Sequence, residues 1–267
     1  MIRLAANSVL FAGYDLETAM RHIAWAGYDG VEVSALKGMC EHLNLDRFEE
    51  DVPGIRELAD EYGLGLLAME EGALDEARLT RAFQAASELG IPVVNVGPGG
   101  KKGVSEDVKG TVATLSRMAE QAAGYGVTLC CKAHVGASLH DSATLLRAAK
   151  EIDPRGFGIN LDPSHIYRAH EDPVQALSKL VPYVKHVHIR DCVVPENGPG
   201  APELQACGRG HIDLLGYTKL LADSGYDGAM SLEVIGAGQY ELCRVATIAA
   251  ESRGYLNACL RACGAGS

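Results

Sequence analysis

The sequence predicts a single (β/α)8 barrel of the α/β class, a TIM barrel, on three observations. Eight short apolar runs of strand type alternate with eight longer segments of helical period. The 267 residues match the length of about 250 at which such barrels form one unit. No linker, low-complexity tract or shift of composition interrupts the chain, so residues 1–267 read as one domain. Strands that alternate with helices pair in parallel, joined by crossover helices. A doubly wound open sheet would share the alternation. Its first strand, however, should enter a glycine-rich phosphate turn, and SVLFAGYD is not G-x-G-x-x-G.

In chain order, IRLAAN (2–7) precedes DLETAMRHIAWAG (15–27), which sets Ala19, Ile23 and Ala26 on one face. GVEVSA (30–35) precedes DVPGIRELADEYG (51–63), and LGLLAME (64–70) precedes EARLTRAFQAASELG (76–90). Both of the latter helices stop at Gly, which takes the helix-ending left-handed conformation without strain. PVVNVG (92–97) runs through the solvated loop GPGGKKG (97–103) to VKGTVATLSRMAEQAAGYG (108–126). VTLCCK (127–132) leads to DSATLLRAAKEI (141–152), and FGINLD (157–162) to DPVQALSKLVPY (172–183). VKHVHIRD (184–191) leads to DLLGYTKLLADSG (213–225), and MSLEVIG (230–236) to a C-terminal helix near 240–263. Asp or Ser stands before several helices, placed to accept from the unpaired N–H groups of the first turn.

Composition narrows the function. The chain is 47% hydrophobic and 22% charged, enough for a large core. Its net charge of −11 repels phosphate backbones, so no nucleic-acid partner is expected. No run of about 18 apolar residues is present, so no membrane span is expected. MIRLAANSVLF lacks the features of a secretory signal, and the eight Cys include no C-x-x-C. Reduced thiols in a cytoplasmic protein are the expectation.

Chemistry in such a barrel sits at the C-terminal ends of the strands. Side chains alternate between the barrel axis and the helices, so apolar residues on one parity leave the polar ones inward. Val31 and Val33 go outward and leave Glu32. Leu67 and Met69 go outward and leave Glu70, and Val94 and Val96 leave Asn95. Ile159 and Leu161 leave Asn160 and Asp162. Val187 and Ile189 leave His186 and His188, and Leu232 and Val234 leave Ser231 and Glu233. Asn7 follows by the same rule, and VTLCCKAH (127–134) sets Lys132 and His134 on a shared face with Cys130 and Thr128. Each strand thus delivers one polar tip: Asn7, Glu32, Glu70, Asn95, Lys132, Asp162, His188 and Glu233. Converging carboxylates with a His suit a divalent cation such as Mn²⁺, Mg²⁺ or Zn²⁺. A buried ammonium among them is costly unless something there needs it.

At these residues the chain resembles the xylose-isomerase-like barrel superfamily, whose members include sugar isomerases and 3-epimerases, inosose dehydratase and endonuclease IV. GYDGVEV (27–33) is similar to its second strand, DPSH (162–165) to its D-x-x-H, HVHIRD (186–191) to its seventh strand, CGRGHID (207–213) to the following Gly-x-Gly turn, and SLEVIG (231–236) to its eighth strand. The resemblance implies Asp162, His188 and Glu233 as ligands of a divalent metal, Mn²⁺ first and Mg²⁺, Co²⁺ or Zn²⁺ after it. It implies a carbohydrate substrate, with His165 reaching it, and often a dimer or tetramer. An activity like that of endonuclease IV is not expected, since the extra His ligands and basic face are missing.

The departure lies in the fifth strand, where the family pattern Glu-x-His is replaced by Lys132-x-His134. An ammonium offers no lone pair and repels a divalent cation. Four readings follow. Asp162, His188 and Glu233 hold the metal with other help while Lys132 meets substrate; Lys132 itself supplies the positive charge; a carbamate on Lys132 rebuilds a carboxylate; or Lys132 forms a Schiff base. The resemblance implies removal of a proton α to a carbonyl and stabilisation of the enediolate by metal or cation. Glu233 and Lys132 are the expected catalytic pair. His165, His134 and His186 are expected on substrate hydroxyls, with Glu32, Glu70, Asn95 and His211 as further contacts. A sugar isomerase or epimerase is the first expectation. A keto-sugar lyase, dehydratase or decarboxylase comes next, then a non-catalytic sugar-binding barrel.

Overall fold

Eight parallel strands close on themselves in the computed structural model, which describes residues 1–265 without the side chain of Asn197. The last two residues of the expected domain lie outside the described residues. The strands are β1 (Arg3–Asn7), β2 (Gly30–Leu36), β3 (Cys40–Glu41), β4 (Gly65–Gly72), β5 (Val93–Val96), β6 (Thr128–Lys132), β7 (Phe157–Asn160), β8 (Val184–Ile189) and β9 (Ala229–Leu232). β1 pairs in parallel with both β2 and β9, which removes the open edges. Among the described residues only β3 stands outside the ring, as a two-residue antiparallel partner of β2 too short to leave a pattern in the sequence. The fold is the expected (β/α)8 TIM barrel.

The helices are α1 (Leu16–Trp25), α2 (Phe48–Tyr62), α3 (Glu76–Leu89), α4 (Ser105–Gly124), α5 (Ser142–Glu151), α6 (Pro163–Arg168), α7 (Pro173–Leu180), α8 (Leu214–Asp223) and α9 (Leu242–Ala262). Gly63 and Gly90 close α2 and α3 with φ of 64° and 72°, as their positions predict. α2 begins three residues before the expected Asp51, with Glu49, Glu50 and Asp51 in its first turn, where the helix dipole favours anions. α6 is an addition: six residues between β7 and α7, nucleated by Asp162 as N-cap and Pro163 at its start. No helix is long and apolar enough to cross a membrane among the described residues.

The residues assigned to the outer face of the strands pack with the helices in one core, including Val31, Val33, Met69, Val94, Val96, Ile159, Val187 and Leu232. Leu67 is the exception to the expected parity. Val31 pairs with Leu66 but Glu32 with Ala68, so Leu67 is an extra residue in β4. The bulge turns it into the barrel, where it meets Ala5 and Ala229. Beside it Ala68, Val93 and Cys130 form a second inner cluster. The floor is tight. A Cβ on Gly30 would stand 2.4 Å from the Gly65 carbonyl oxygen, so only glycine fits there. Above this apolar floor the polar tips begin.

Candidate active site

The deeper layer is built on Glu32, whose side chain is sealed from solvent. Asn95 Nδ2 donates to its Oε1 at 2.7 Å. His188 Nε2 lies 2.9 Å from both carboxylate oxygens, and His186 Nε2 lies 3.3 Å from Oε2. Burial opposes the charge on Glu32, but His188 and His186 outweigh it and hold the carboxyl well below its ordinary range. In turn His186 is lowered by burial. Asn160 Oδ1 accepts from the His188 backbone N–H at 2.9 Å and fixes the strand beneath the ring.

Lys132 forms the upper layer. Its Nζ lies 2.5 Å from Glu233 Oε1, 3.2 Å from Glu70 Oε1 and 3.0 Å from His188 Nδ1. Burial would pull its pKa down, yet Glu233 and Glu70 outweigh burial and push it up, so it remains an ammonium. Glu32, acting against burial, also draws a proton toward the His188 ring. Only one N–H fits between Nζ and Nδ1, and with Glu233 against Nζ that proton belongs to Lys132. Nδ1 therefore accepts, and Nε2–H points at Glu32.

The two carboxylates of this layer differ. Glu233 Oε2 lies 3.4 Å from an Arg190 guanidinium nitrogen and 3.6 Å from His188 Nδ1. Against the effect of burial, Lys132 and Arg190 hold Glu233 well below the usual carboxylate range. Glu70 receives one hydrogen bond from Asn7 Nδ2 at 2.7 Å besides that of Lys132. Burial dominates there and pushes it up to about 7.

Arg190 closes one side. Its Nε donates to Ser164 Oγ at 2.8 Å, one terminal nitrogen donates to His165 Nε2 at 3.0 Å, and the same nitrogen lies 3.3 Å from Asp162 Oδ2. Asp162 also caps α6 by accepting from the Ser164 N–H at 2.8 Å. Burial, then Arg190 and Lys132, hold His165 well below its ordinary value, so the ring is neutral.

Above these groups opens a cavity of about 320 Å³ lined by Glu70, Lys132, His134, His165, Arg168, Arg190 and Glu233, with apolar walls from Leu36, Met39 and Ile235. A larger cavity of about 420 Å³, lined by Lys185, Tyr226 and Asp227, holds none of these side chains.

The structure therefore brings Lys132, Glu70, Glu233, His134 and His165 to one cavity. His134 packs against His165 with ring centroids 4.6 Å apart and the planes tilted by 42°. Glu32, Asn95 and His186 lie beneath, buried and engaged with one another, and His188 bridges the two layers. His211 is apart: it is exposed on a different depression with Tyr167, Asp172 and Asp213. Two cationic residues escaped the sequence reading. Arg190 shares the inward parity of His186 and His188, and that signal was available. Arg168 follows His165 by one turn on a helix too short to read.

Among the described residues, two groups bring potential metal ligands together: Glu32 with His186 and His188, and Glu70 with His188 and Glu233. Asp162, expected as a ligand, is in neither; its Oδ2 faces Arg190 instead. In the first group the donors bond one another and Asn95. In the second, all three donor atoms lie 2.5 to 3.2 Å from the Lys132 ammonium. A divalent ion among them would share its place with a cation that it repels. As arranged, the side chains do not fit such an ion.

Comparison with known proteins places this geometry in context. A family model described as xylose isomerase-like TIM barrel matches residues 20–259. An uncharacterized protein of Methanocaldococcus jannaschii is 26% identical over 256 residues, covering 87% of this chain and 83% of that protein. An inosose dehydratase of Clostridium botulinum is 26% identical over 132 residues, 45% of this chain and 44% of the dehydratase, so this match spans under half of its length. The crystal structure of a D-tagatose 3-epimerase-like protein superposes over 98% of both chains with a TM-score of 0.77 and 23% identity, a likeness of fold.

Proposed function

The chain belongs to the family of xylose isomerase-like TIM barrels, and from that premise we propose that it is an enzyme acting on a polyhydroxylated carbonyl compound. It removes the proton α to the carbonyl and holds the resulting enediolate with an ammonium. The observation that carries this reading is Lys132, buried at the cavity floor between Glu70 and Glu233. A fixed ammonium in a site largely closed to water stabilises oxyanion charge as it develops. Glu70, held near 7 by burial, is poised to take the proton. Glu233 was the expected base, but its pairing with Lys132 and Arg190 makes it the weaker acceptor. It serves better to fix the two cations. No step passes through a metal.

The difference between the two carboxylates favours elimination, since only Glu70 is raised toward the range of a base. Epimerisation exchanges protons on both faces of a carbon, and the second carboxylate is engaged. In elimination, Glu70 takes the α proton, the C–O bond at the β carbon breaks, and the Glu70 proton leaves with the hydroxyl as water. The partial match to inosose dehydratases supports this dehydratase reading. A sugar isomerase is the second reading: protonated Glu70 would return its proton to the neighbouring carbon along the same face.

The test is a panel of keto-sugars and keto-inositols incubated in D2O, with α C–H exchange read by NMR and loss of water by mass spectrometry. Wild type exchanges and dehydrates at least one member. Glu70→Gln and Lys132→Met each lose about 10³-fold in rate. A folded wild type that exchanges no proton on any member would leave a non-catalytic sugar-binding barrel instead.

A further inference from the structure

Two residues that line the cavity, His165 and Arg168, each carry a buried nitrogen with no hydrogen-bond partner among the described residues. His165 Nε2 faces a guanidinium nitrogen of Arg190 at 3.0 Å, and arginine is donor only, so Nε2 accepts. The ring proton therefore sits on Nδ1, and that nitrogen is buried without a hydrogen-bond partner. Arg168 Nε is likewise buried and unpartnered. The two residues are three apart on α6, hence on one face, and both line the cavity.

Charge points the same way. The cavity's other cations are answered: Lys132 by Glu70 and Glu233, Arg190 by Asp162 and Glu233. Arg168 makes no ion pair among the described residues, although burial and then the neighbouring Arg190 both disfavour its charge. A half-buried guanidinium with no carboxylate beside it gains from an anion that meets it. A substrate hydroxyl would satisfy the hydrogen bonds but leave the charge unanswered.

We infer that Arg168 and His165 form a subsite for an anionic oxygen group, so that the substrate is a sugar derivative carrying a carboxylate or a phosphate monoester. The inference rests on the reading of this cavity as a substrate site. The anion meets the Arg168 and His165 side chains at the cavity wall, and the carbonyl end of the molecule lies toward Lys132 and Glu70.

Calorimetric titration of wild type with glucitol, gluconate and glucitol 6-phosphate tests it, since the three share a polyol chain and differ in the anion. At least one anion is expected to bind about tenfold tighter than glucitol, and which one does so separates carboxylate from phosphate. Arg168→Gln should bring that preference to within about twofold, and Arg168→Lys should retain part of it; circular dichroism checks that both variants fold. Equal binding of all three probes, no binding of either anion at millimolar concentration, or a preference that survives in folded Arg168→Gln would each overturn the inference. The readout is binding, not turnover. A failed search for proton exchange leaves it standing, and its own failure leaves the proton chemistry untouched.

Discussion

Lys132 places a covalently attached positive charge where two carboxylates and an imidazole converge. The ammonium touches Glu70, Glu233 and His188, and those groups lose their common focus when it goes. Lys132→Glu removes the repulsion and supplies a carboxylate at the end of β6. The variant should retain a divalent metal, Mn²⁺ for example, through desalting, while wild type should not; metal analysis of both proteins decides it. Stoichiometric metal in carefully desalted wild type would contradict the fit described above. Glu70 sets a second expectation. As the base it must be ionised, so the rate on a working substrate should rise with pH through about 7. A flat profile from pH 5 to pH 8 would remove Glu70 from that role.

Strands and helices carried most of the legible information. The period of two along the strands placed every polar tip on the inner side, because outward apolar residues leave no other choice. Parity failed at Leu67, where a bulge adds a residue; bulges arise from pairing with a partner strand, which one strand's own pattern does not contain. Arg190 was legible by the same parity rule but sat at the end of its run. Arg168 was not, since α6 is too short to show a helical period. The roles of the carboxylates were illegible too. Glu70 and Glu233 are alike in sequence, and only their neighbours in space separate one raised by burial from one held low by Lys132 and Arg190. The turn after β8 has a clear local cause: Asp191 accepts from the N–H groups of Cys192, Gly208 and Ile212, tying the Gly-x-Gly segment to the strand end. At α5, Asp141 and Thr144 form a reciprocal capping box. Asp141→Ala should cost about 1 kcal/mol, seen as a lower urea midpoint at unchanged slope. An unchanged midpoint would mean that this cap contributes nothing to the folded state.

At the scale of the whole molecule, the buried carboxylates divide into two kinds that pull stability in opposite directions with pH. Glu32 and Glu233 are held below 4.5 in the fold, so their contribution is present above that pH and lost as acid protonates them. Glu70 is raised from 4.5 to about 7. Its protonated form is bound more tightly by the fold, so its contribution is full below 4.5 and lost as pH rises through 7, on the order of 3 kcal/mol. Removing the ionisable group should therefore help in alkali. Glu70→Gln is expected to melt above wild type at pH 8, with the gap narrowing toward pH 5 by scanning calorimetry. Melting curves that stay parallel across that range would refute the assignment. The Lys132 clamp has one more consequence, and it is genetic. Lysine and glutamate codons differ by a purine transition at the first base, so one mutation exchanges a fixed ammonium at the end of β6 for a carboxylate.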